Sequence, residues 1–355
     1  MSLFQKKKSK EISLAGSPLA DLSAKIIVEN DCSYLYVHHN NSAADNSMRC
    51  CWIKNHVKVP DSYSAITDMK KGLQPKVPTS NCAFPNDLAF LDSQTLELIW
   101  GKEGHTAFLF DNDTLICAIP YWANQDFSGY SKFSCNEQFT RIPLTLGNEK
   151  NEMFKKSEEA KVFWKQDFSL FWQDYQKTYL NELEAKYGKH INYYAIDSGQ
   201  FPPKALVIFE KDNMKYAFTM GVGLFSQPRV DMHFDNPQDY ATFELGFCYS
   251  SNTTFDEMST FSQISSIASI PWQHTTFLAH RHTIDIQVTP KYLHGVLVSD
   301  KIIQLAKFPK LIKDNINLLW IIPITESSHK KLTANPSNYS EIETKIDNKD
   351  VIFKG

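Results

Sequence analysis

The stretch Asn-Leu-Leu-Trp-Ile-Ile-Pro-Ile-Thr-Glu, residues 317–326, constrains the fold of this chain more than any other. Its unbroken apolar run leaves no face suited to water, so we predict a central strand that is covered on both sides. Pro323 lacks the amide hydrogen that a sheet ladder needs, which predicts that the strand ends close to this residue. The chain should therefore contain a layered domain built around this strand.

Composition supports packed cores and excludes global disorder. The chain has 355 residues, of which 42% are hydrophobic and 13% are aromatic, enough for two domains of ordinary size. The formal net charge is −3. Because nucleic-acid binding proteins carry a basic surface, we expect no nucleic-acid partner.

Cysteine usage and the N-terminus predict a cytoplasmic protein. The seven cysteines are scattered, with no Cys-x-x-Cys spacing, which favours reduced thiols over a disulfide framework or a zinc knuckle. The N-terminal lysines precede no apolar segment, so we predict no signal peptide. No window approaches the roughly 18 consecutive apolar residues of a membrane span, and we expect no membrane partner.

Changes in pattern along the chain predict four segments. They are a flexible basic tail (1–20), a β-rich N-terminal domain (21–150), an α/β domain (151–335) and a polar tail (336–355). Within the β-rich domain, Asp111-Asn112-Asp113 separates two apolar runs. Such residues tolerate left-handed backbone angles, so we predict a hairpin turn there.

Aromatic residues at steps of three and four predict one long amphipathic helix over residues 159–187, which Gly188 ends. We expect its aromatic stripe to be core. A mixed α/β pattern follows, with a helical stretch at 262–279. The predicted strands are 205–209, 216–222, 242–249, 283–288, 295–298 and 318–322.

A histidine cluster is the strongest candidate for metal chemistry. In an extended segment His280 and His282 would share a face, as strand-borne metal ligands do, and His274 lies shortly before them. Asp285 is three residues beyond His282 and would point to the other face. A metal-dependent hydrolase using His274, His280 and His282 is therefore an alternative function. Surface or turn histidines explain the same residues without a metal, and we predict no metal and no cofactor.

Other catalytic signatures are absent from the sequence. Gly221-Val222-Gly223 begins like a dinucleotide-binding loop, but Ser226 replaces its third glycine, and a glycine pair that ends a strand explains the motif better. No P-loop, nucleophile elbow or zinc-protease motif occurs. Glu97, Glu103 and Glu244 are single acids with no identifiable partner. We therefore predict that the protein is not an enzyme.

Aromatic-rich segments provide candidate anchors for a protein partner, because Trp, Tyr and Arg dominate the energetics of many interfaces. Burial in a core would explain the aromatic residues equally well. The candidate partner-binding residues are Tyr121, Trp122, Tyr130, Trp272 and Arg281.

The order of features over residues 172–332 is similar to the Suppressor of fused domain family. The segments that carry the resemblance are Glu-Ala-Lys-Tyr-Gly (184–188), Tyr-Ala-Phe-Thr-Met-Gly-Val-Gly (216–223), Phe-Glu-Leu-Gly-Phe (243–247), Trp272, His-Thr-Ile (282–284), Gly-Val-Leu-Val (295–298) and Leu-Trp-Ile-Ile-Pro-Ile-Thr (319–325). The chain departs from the family at two places. Arg281 stands where the family often has glycine, and Ser328 where it tends to have an acid.

The resemblance implies an α/β domain (α+β type), with a mixed β-sheet and flanking helices, that binds protein without catalysis. Animal members of the family hold a transcription factor, and bacterial members resemble immunity proteins that neutralise a toxin. We expect a bacterial, immunity-type factor that occludes a toxin or another protein partner. A scaffold subunit of a larger assembly is a further alternative.

Overall fold

The structure of the protein, a computed structural model, describes residues 9–40, 48–124, 126–138, 140–147, 150–199, 201–299, 316–340 and 353–354. The chain divides into two compact units, Met1–Lys165 and Gln166–Gly355, which we call unit 1 and unit 2. Residues 1–8 of the predicted basic tail lie outside the described residues, and so does most of the predicted polar tail, residues 341–352.

The described part of unit 1 is β-rich, as predicted. One antiparallel sheet contains, in spatial order, β1 (Lys10–Ser13), β2 (Leu22–Glu29), β3 (Cys32–His39) and β4 (Arg49–Asn55). A second sheet contains β5 (Leu96–Trp100), β6 (Ala107–Asp111), β7 (Thr114–Ile119), β8 (Tyr130–Ser131) and β9 (Leu144–Thr145). Its neighbours are antiparallel except for β8 and β9. The helices are α1 (Ala65–Met69) and α2 (Glu152–Trp164).

The turn between β6 and β7 confirms the predicted hairpin. Asn112 has φ 47° and Asp113 has φ 63°, so both residues adopt the left-handed conformation that two-residue hairpin turns require. Asp111 pairs with Thr114 directly across the turn. Short polar side chains tolerate this conformation, which is why the Asp-Asn-Asp pattern predicted the turn correctly.

Unit 2 is built around a mixed sheet with flanking helices, which confirms the predicted fold class. Its strands are β10 (Asn192–Ala195), β11 (Ala205–Lys211), β12 (Met214–Met220), β13 (Thr242–Ser250), β14 (Thr283–Thr289), β15 (Tyr292–Ser299) and β16 (Ile316–Ile324). The spatial order is β10-β11-β12-β13-β16-β15-β14. Only β13 and β16 run parallel within this order. Each segment predicted as a strand in this unit coincides with a strand of this sheet, except that the segment predicted at 216–222 leaves β12 after Met220.

Strand β16 is the central strand that its apolar run predicted. Every residue after Ile316 is buried, and the strand pairs with β13 on one side and β15 on the other. Pairing with β13 reaches Trp320, whereas pairing with β15 continues to Ile324. Pro323 therefore lies where one neighbouring ladder has already ended, a position at which a missing amide hydrogen costs little.

The prediction of one long helix over residues 159–187 is wrong in one respect. The segment forms two helices. Helix α2 ends at Trp164, and α3 (Phe168–Tyr187) begins after Asp167. The Asp167 carboxylate accepts hydrogen bonds from the amides of Ser169 and Leu170, so it caps α3 and starts a new helix. The predicted core stripe is confirmed for Tyr175, Tyr179, Leu183 and Tyr187, which are buried. Gly188 ends α3 with φ 85°.

The helical stretch predicted at 262–279 is also shorter than expected. It forms α4 (Glu257–Ile267) and the short α5 (Ile270–His274), which has Pro271 in its first turn. A last helix, α6 (Glu326–Ala334), follows β16 directly, because the Thr325 hydroxyl accepts from the amide of Ser328 and caps it. Among the described helices, none combines the length and apolar character that crossing a membrane requires. All seven cysteines are free thiols.

Candidate functional site

Arg281, a candidate partner-binding residue, is exposed and has an unusual backbone conformation. Its φ is 70°, in the left-handed region that favours glycine and costs other residues about 1–2 kcal/mol. An arginine thus occupies a backbone conformation suited to glycine. The Arg281 guanidinium lies 5.8 Å from the ring centre of Tyr339, within the range of a cation–π contact.

The buried side chain of Gln227 joins the two loops that flank this region. Its Nε2 donates to the carbonyl oxygens of Tyr240, at 3.0 Å, and Leu278, at 3.1 Å. Its Oε1 accepts from the amide of Leu278 at 2.7 Å. One amide group therefore fixes the loop 226–241 to the loop 275–282, and a network that is fully satisfied in this way resists rearrangement.

Aromatic side chains of these two loops form a half-exposed surface. We call Met232, His233, Phe234, Tyr240, Phe277 and His282 the aromatic loop surface. Phe234 stacks on Tyr240 with ring centres 3.9 Å apart, and Phe277 meets Phe234 edge-on at 5.6 Å. Met232 is 54% exposed. The ring contacts hold the aromatic side chains of this surface in place while part of each remains accessible.

The two histidines of the aromatic loop surface both contact Phe277. The ring centre of His233 lies 4.8 Å from that of Phe277, and the ring centre of His282 lies 5.0 Å from it. Burial lowers the pKa of His282, with a smaller contribution from neighbouring His233. His282 is therefore held closer to its neutral form, which suits an apolar surface.

Trp272, a second candidate anchor, contacts the first residue of the loop 226–241. It is buried, and its indole Nε1 donates to the carbonyl oxygen of Ser226 at 3.2 Å. Its ring lies nearly parallel to that of Phe243, with ring centres 6.3 Å apart. Trp272 thus fixes the start of the loop that carries Gln227.

The other three candidate anchors belong to unit 1 and pack mainly against its core. Tyr121 is buried. Trp122 stacks on Phe127 with ring centres 4.7 Å apart, and Tyr130 meets Phe127 edge-on at 5.3 Å. Both Trp122 and Tyr130 are half-buried against the core of unit 1. The structure therefore places Trp272 and Arg281 in unit 2, and Tyr121, Trp122 and Tyr130 in unit 1.

The three histidines of the alternative hydrolase site do not converge into a metal-binding group within the described residues. His274 is exposed on α5, and His282 belongs to the aromatic loop surface. His280 lies near β15, where its Nδ1 is 3.4 Å from the amide nitrogen of Ser299. Sequence proximity therefore did not bring their nitrogen atoms together.

A different group of ligating side chains does converge, which we call the histidine–carboxylate cluster: Asp285, His294, Glu326 and His329. Nδ1 of His294 lies 2.8 Å from Oδ1 of Asp285, and its Nε2 lies 2.6 Å from Oε2 of Glu326. The ring of His329 stacks on that of His294, with ring centres 4.0 Å apart. The hydrogen bond to Glu326, together with that to Asp285, raises the pKa of His294.

Sequence reasoning missed this cluster, although one signal was present. Glu326 and His329 are spaced i, i+3 directly after the helix cap Thr325, which places them on the same face of α6. Their neighbour His294 comes from β15 and lies opposite Ile324 of β16 in the sheet register. That register could not be seen in the sequence.

Glu244 is completely buried, and its carboxylate is surrounded by donors. Oε1 accepts from the amides of Gly221, at 2.8 Å, and Gly223, at 2.9 Å. Tyr175 and Thr219 donate through their hydroxyls at 2.7 and 2.6 Å. Burial raises the pKa of Glu244, and these donors oppose that effect. The Gly-Val-Gly segment thus holds a carboxylate of its own chain, which explains a motif that resembled a dinucleotide-binding loop.

No model of a known protein family matches the chain, and no curated protein matches it. Among solved structures, a chain from the Sufu-Fu complex crystal structure is 11% identical, and the match covers 44% of this chain and 77% of that chain. The TM-score is 0.31, so the structural resemblance to Suppressor of fused is weak.

Proposed function

We propose that this protein is a non-catalytic protein that binds another protein through the aromatic loop surface. The supporting observation is the combination of half-exposed aromatic rings with the buried Gln227 that fixes both loops. Aromatic side chains contribute large apolar contact areas and lose little conformational freedom on binding. Loops that are already ordered also lower the entropic cost of association.

Arg281 adds a charged anchor in the segment that carries Phe277 and His282. Arginine is enriched among the residues that dominate binding energy. Residues held in a left-handed backbone conformation cost folding energy and tend to occur where the side chain has a function. Its place beside Tyr339 leaves an exposed side chain that a partner can contact.

The finer proposal is an immunity-type role, in which the partner is a toxin and binding occludes the toxin's active surface. It is supported by the similarity of residues 172–332 to the Suppressor of fused domain family. The mechanism needs no chemistry from this chain. Occlusion requires only an ordered surface that excludes water from the interface and from which the partner dissociates slowly.

Co-expression with the protein encoded by the neighbouring gene tests both the proposed binding surface and the proposed immunity-type role. If that product is a toxin, the wild-type protein should restore growth and bind the toxin in calorimetry. Phe234→Ala and Phe277→Ala should each weaken binding by about 30-fold or more, the loss typical of a central aromatic anchor.

Two similarly exposed methionines of unit 2 provide a matched control. Met232, which is 54% exposed, belongs to the aromatic loop surface, whereas Met258, which is 59% exposed, lies on α4. Met232→Ala should weaken toxin binding and Met258→Ala should not. Equal effects of the two changes would exclude the aromatic loop surface as the interface. Absence of growth rescue would instead exclude the immunity role.

A further inference from the structure

We infer that His294, Glu326 and His329 form a binding site for a divalent transition-metal ion such as Zn²⁺. One ligating atom from each of these three side chains lies within 4.8 Å of the others. Two imidazoles and one carboxylate bind Zn²⁺ or Fe²⁺ more readily than Mg²⁺ or Ca²⁺, which favour oxygen ligands. The site is distinct from the aromatic loop surface.

Two secondary-structure elements place the ligands. Glu326 and His329 lie in the first turns of α6, three residues apart, so their side chains leave the same face of the helix. His294 is on β15, which pairs with β16, the strand that runs directly into α6. Because Thr325 caps the helix immediately after the strand, the distance between the two elements is set by the backbone rather than by flexible loops.

Asp285 supplies the contact that orients His294. Asp285 and His294 face each other across β14 and β15, and Oδ1 of Asp285 lies 2.8 Å from Nδ1 of His294. A carboxylate on one ring nitrogen keeps the proton there and presents the other nitrogen to a metal. Here the presented atom is Nε2, which faces Glu326.

Metal binding requires the proton between His294 Nε2 and Glu326 Oε2 to leave to solvent, together with a small local rearrangement. Tetrahedral Zn²⁺, with bonds of about 2.0–2.1 Å, separates its ligand atoms by roughly 3.3 Å. The hydrogen bond of 2.6 Å between His294 Nε2 and Glu326 Oε2 must therefore open by less than about 1 Å. The His329 ring must also turn out of its stack on His294, since ligating lone pairs lie in the ring plane.

The surroundings permit this movement. Glu326 is exposed, and its other oxygen, Oε1, pairs with Lys330 at 3.0 Å, which leaves Oε2 for the metal. A bound ion would connect the start of α6 to β15. The same helix contributes Leu332 to a small apolar cluster with Val296 and Ile324. The ion would therefore stabilise the attachment of α6 to the sheet.

Zn²⁺ binding to the full chain tests the inference. Protein stripped with a chelator should bind one Zn²⁺ at this site in titration calorimetry, and its thermal unfolding midpoint should rise with Zn²⁺ concentration. His329→Asn and Glu326→Gln should each remove this binding. Asp285→Asn should weaken it by about 10–100-fold, as loss of an orienting carboxylate does.

His274→Asn is the matched control, because it removes an exposed histidine of unit 2 outside the site. It should leave Zn²⁺ affinity and the rise in unfolding midpoint unchanged. Co²⁺ provides a second readout: its visible spectrum should show tetrahedral coordination without the charge-transfer band of a thiolate, which excludes exposed Cys135 as a ligand. Binding that survives both His329→Asn and Glu326→Gln, or no saturable Zn²⁺ binding to the wild type, would overturn the inference.

Discussion

The hydroxyl of Tyr175 lies 2.7 Å from Oε1 of Glu244, and both side chains are buried. This contact joins α3 to the sheet at β13, in the middle of unit 2. The carboxylate is stable in this position because backbone amides and hydroxyls replace the water that burial removes. Loss of one of these donors should therefore lower the free energy of unfolding substantially.

Tyr175→Phe should destabilise the protein by about 1–3 kcal/mol, because it removes one donor from a buried carboxylate without changing the apolar packing of the ring. Chemical denaturation measures the change. Tyr193→Phe, at an exposed tyrosine of the same unit, should change the free energy of unfolding by less than about 0.5 kcal/mol. Equal losses from the two variants would show that the hydrogen bond to Glu244 contributes little.

Gln227→Ala should loosen the two loops of the aromatic loop surface. The Leu278 amide would lose its acceptor, and we expect its hydrogen-exchange rate to rise by about tenfold or more. Partner binding should weaken as well, since the loops would have to be ordered on association. Gln273→Ala removes an exposed glutamine of α5 and should alter neither quantity. Unchanged protection of Leu278 in Gln227→Ala would contradict this role.

Arg281→Gly should be more stable than Arg281→Ala by about 1 kcal/mol. Both changes remove the contact with Tyr339, but only glycine relieves the left-handed backbone at φ 70°. The same pair of changes at exposed Lys177, inside α3, should give the opposite order, since glycine costs about 1 kcal/mol in a helix. Thermal unfolding of the four variants distinguishes backbone strain from side-chain loss.

Asp68 in α1 should make the protein sensitive to acid. Partial burial disfavours its charge, but Tyr63, Asn30 and Lys76 donate to Oδ2 at 2.6, 2.7 and 3.2 Å, and the net effect is a lowered pKa. A carboxylate whose pKa is lower in the folded than in the unfolded state stabilises the protein above the unfolded pKa, near 3.8. That contribution is lost as the pH falls through the folded pKa.

The variant Asp68→Asn tests whether the Asp68 carboxylate stabilises the protein at neutral pH and loses that effect in acid. It should destabilise the protein by about 1–3 kcal/mol at neutral pH, because three half-buried donors lose a charged acceptor. In denaturation experiments, the difference from the wild type should shrink as the pH falls below the unfolded pKa, near 3.8, and through the lower folded pKa of Asp68. Asp61→Asn, at an exposed carboxylate nearby, should have little effect at neutral pH. A difference that grows on acidification would contradict the assignment.

Local patterns predicted many elements of the fold. The apolar run of β16 predicted a strand buried on both faces, and Asn112 and Asp113 predicted a turn with left-handed angles. These features depend on residues that are adjacent in the chain, and their physical causes, burial and backbone sterics, act at short range. The break between α2 and α3 was missed because the cap at Asp167 competed with a continuous apolar stripe.

Only the tertiary structure decided which polar groups meet. Glu244 looked isolated in the sequence, yet its donors come from α3, β12 and the turn after β12. The histidine–carboxylate cluster likewise needs the register that sets His294 opposite Asp285 on one side and Ile324 on the other. Apolar burial is non-directional and can be inferred from pattern alone, whereas hydrogen bonds and ligand sets require particular atoms at particular distances. Those distances depend on strand order, which the sequence does not display.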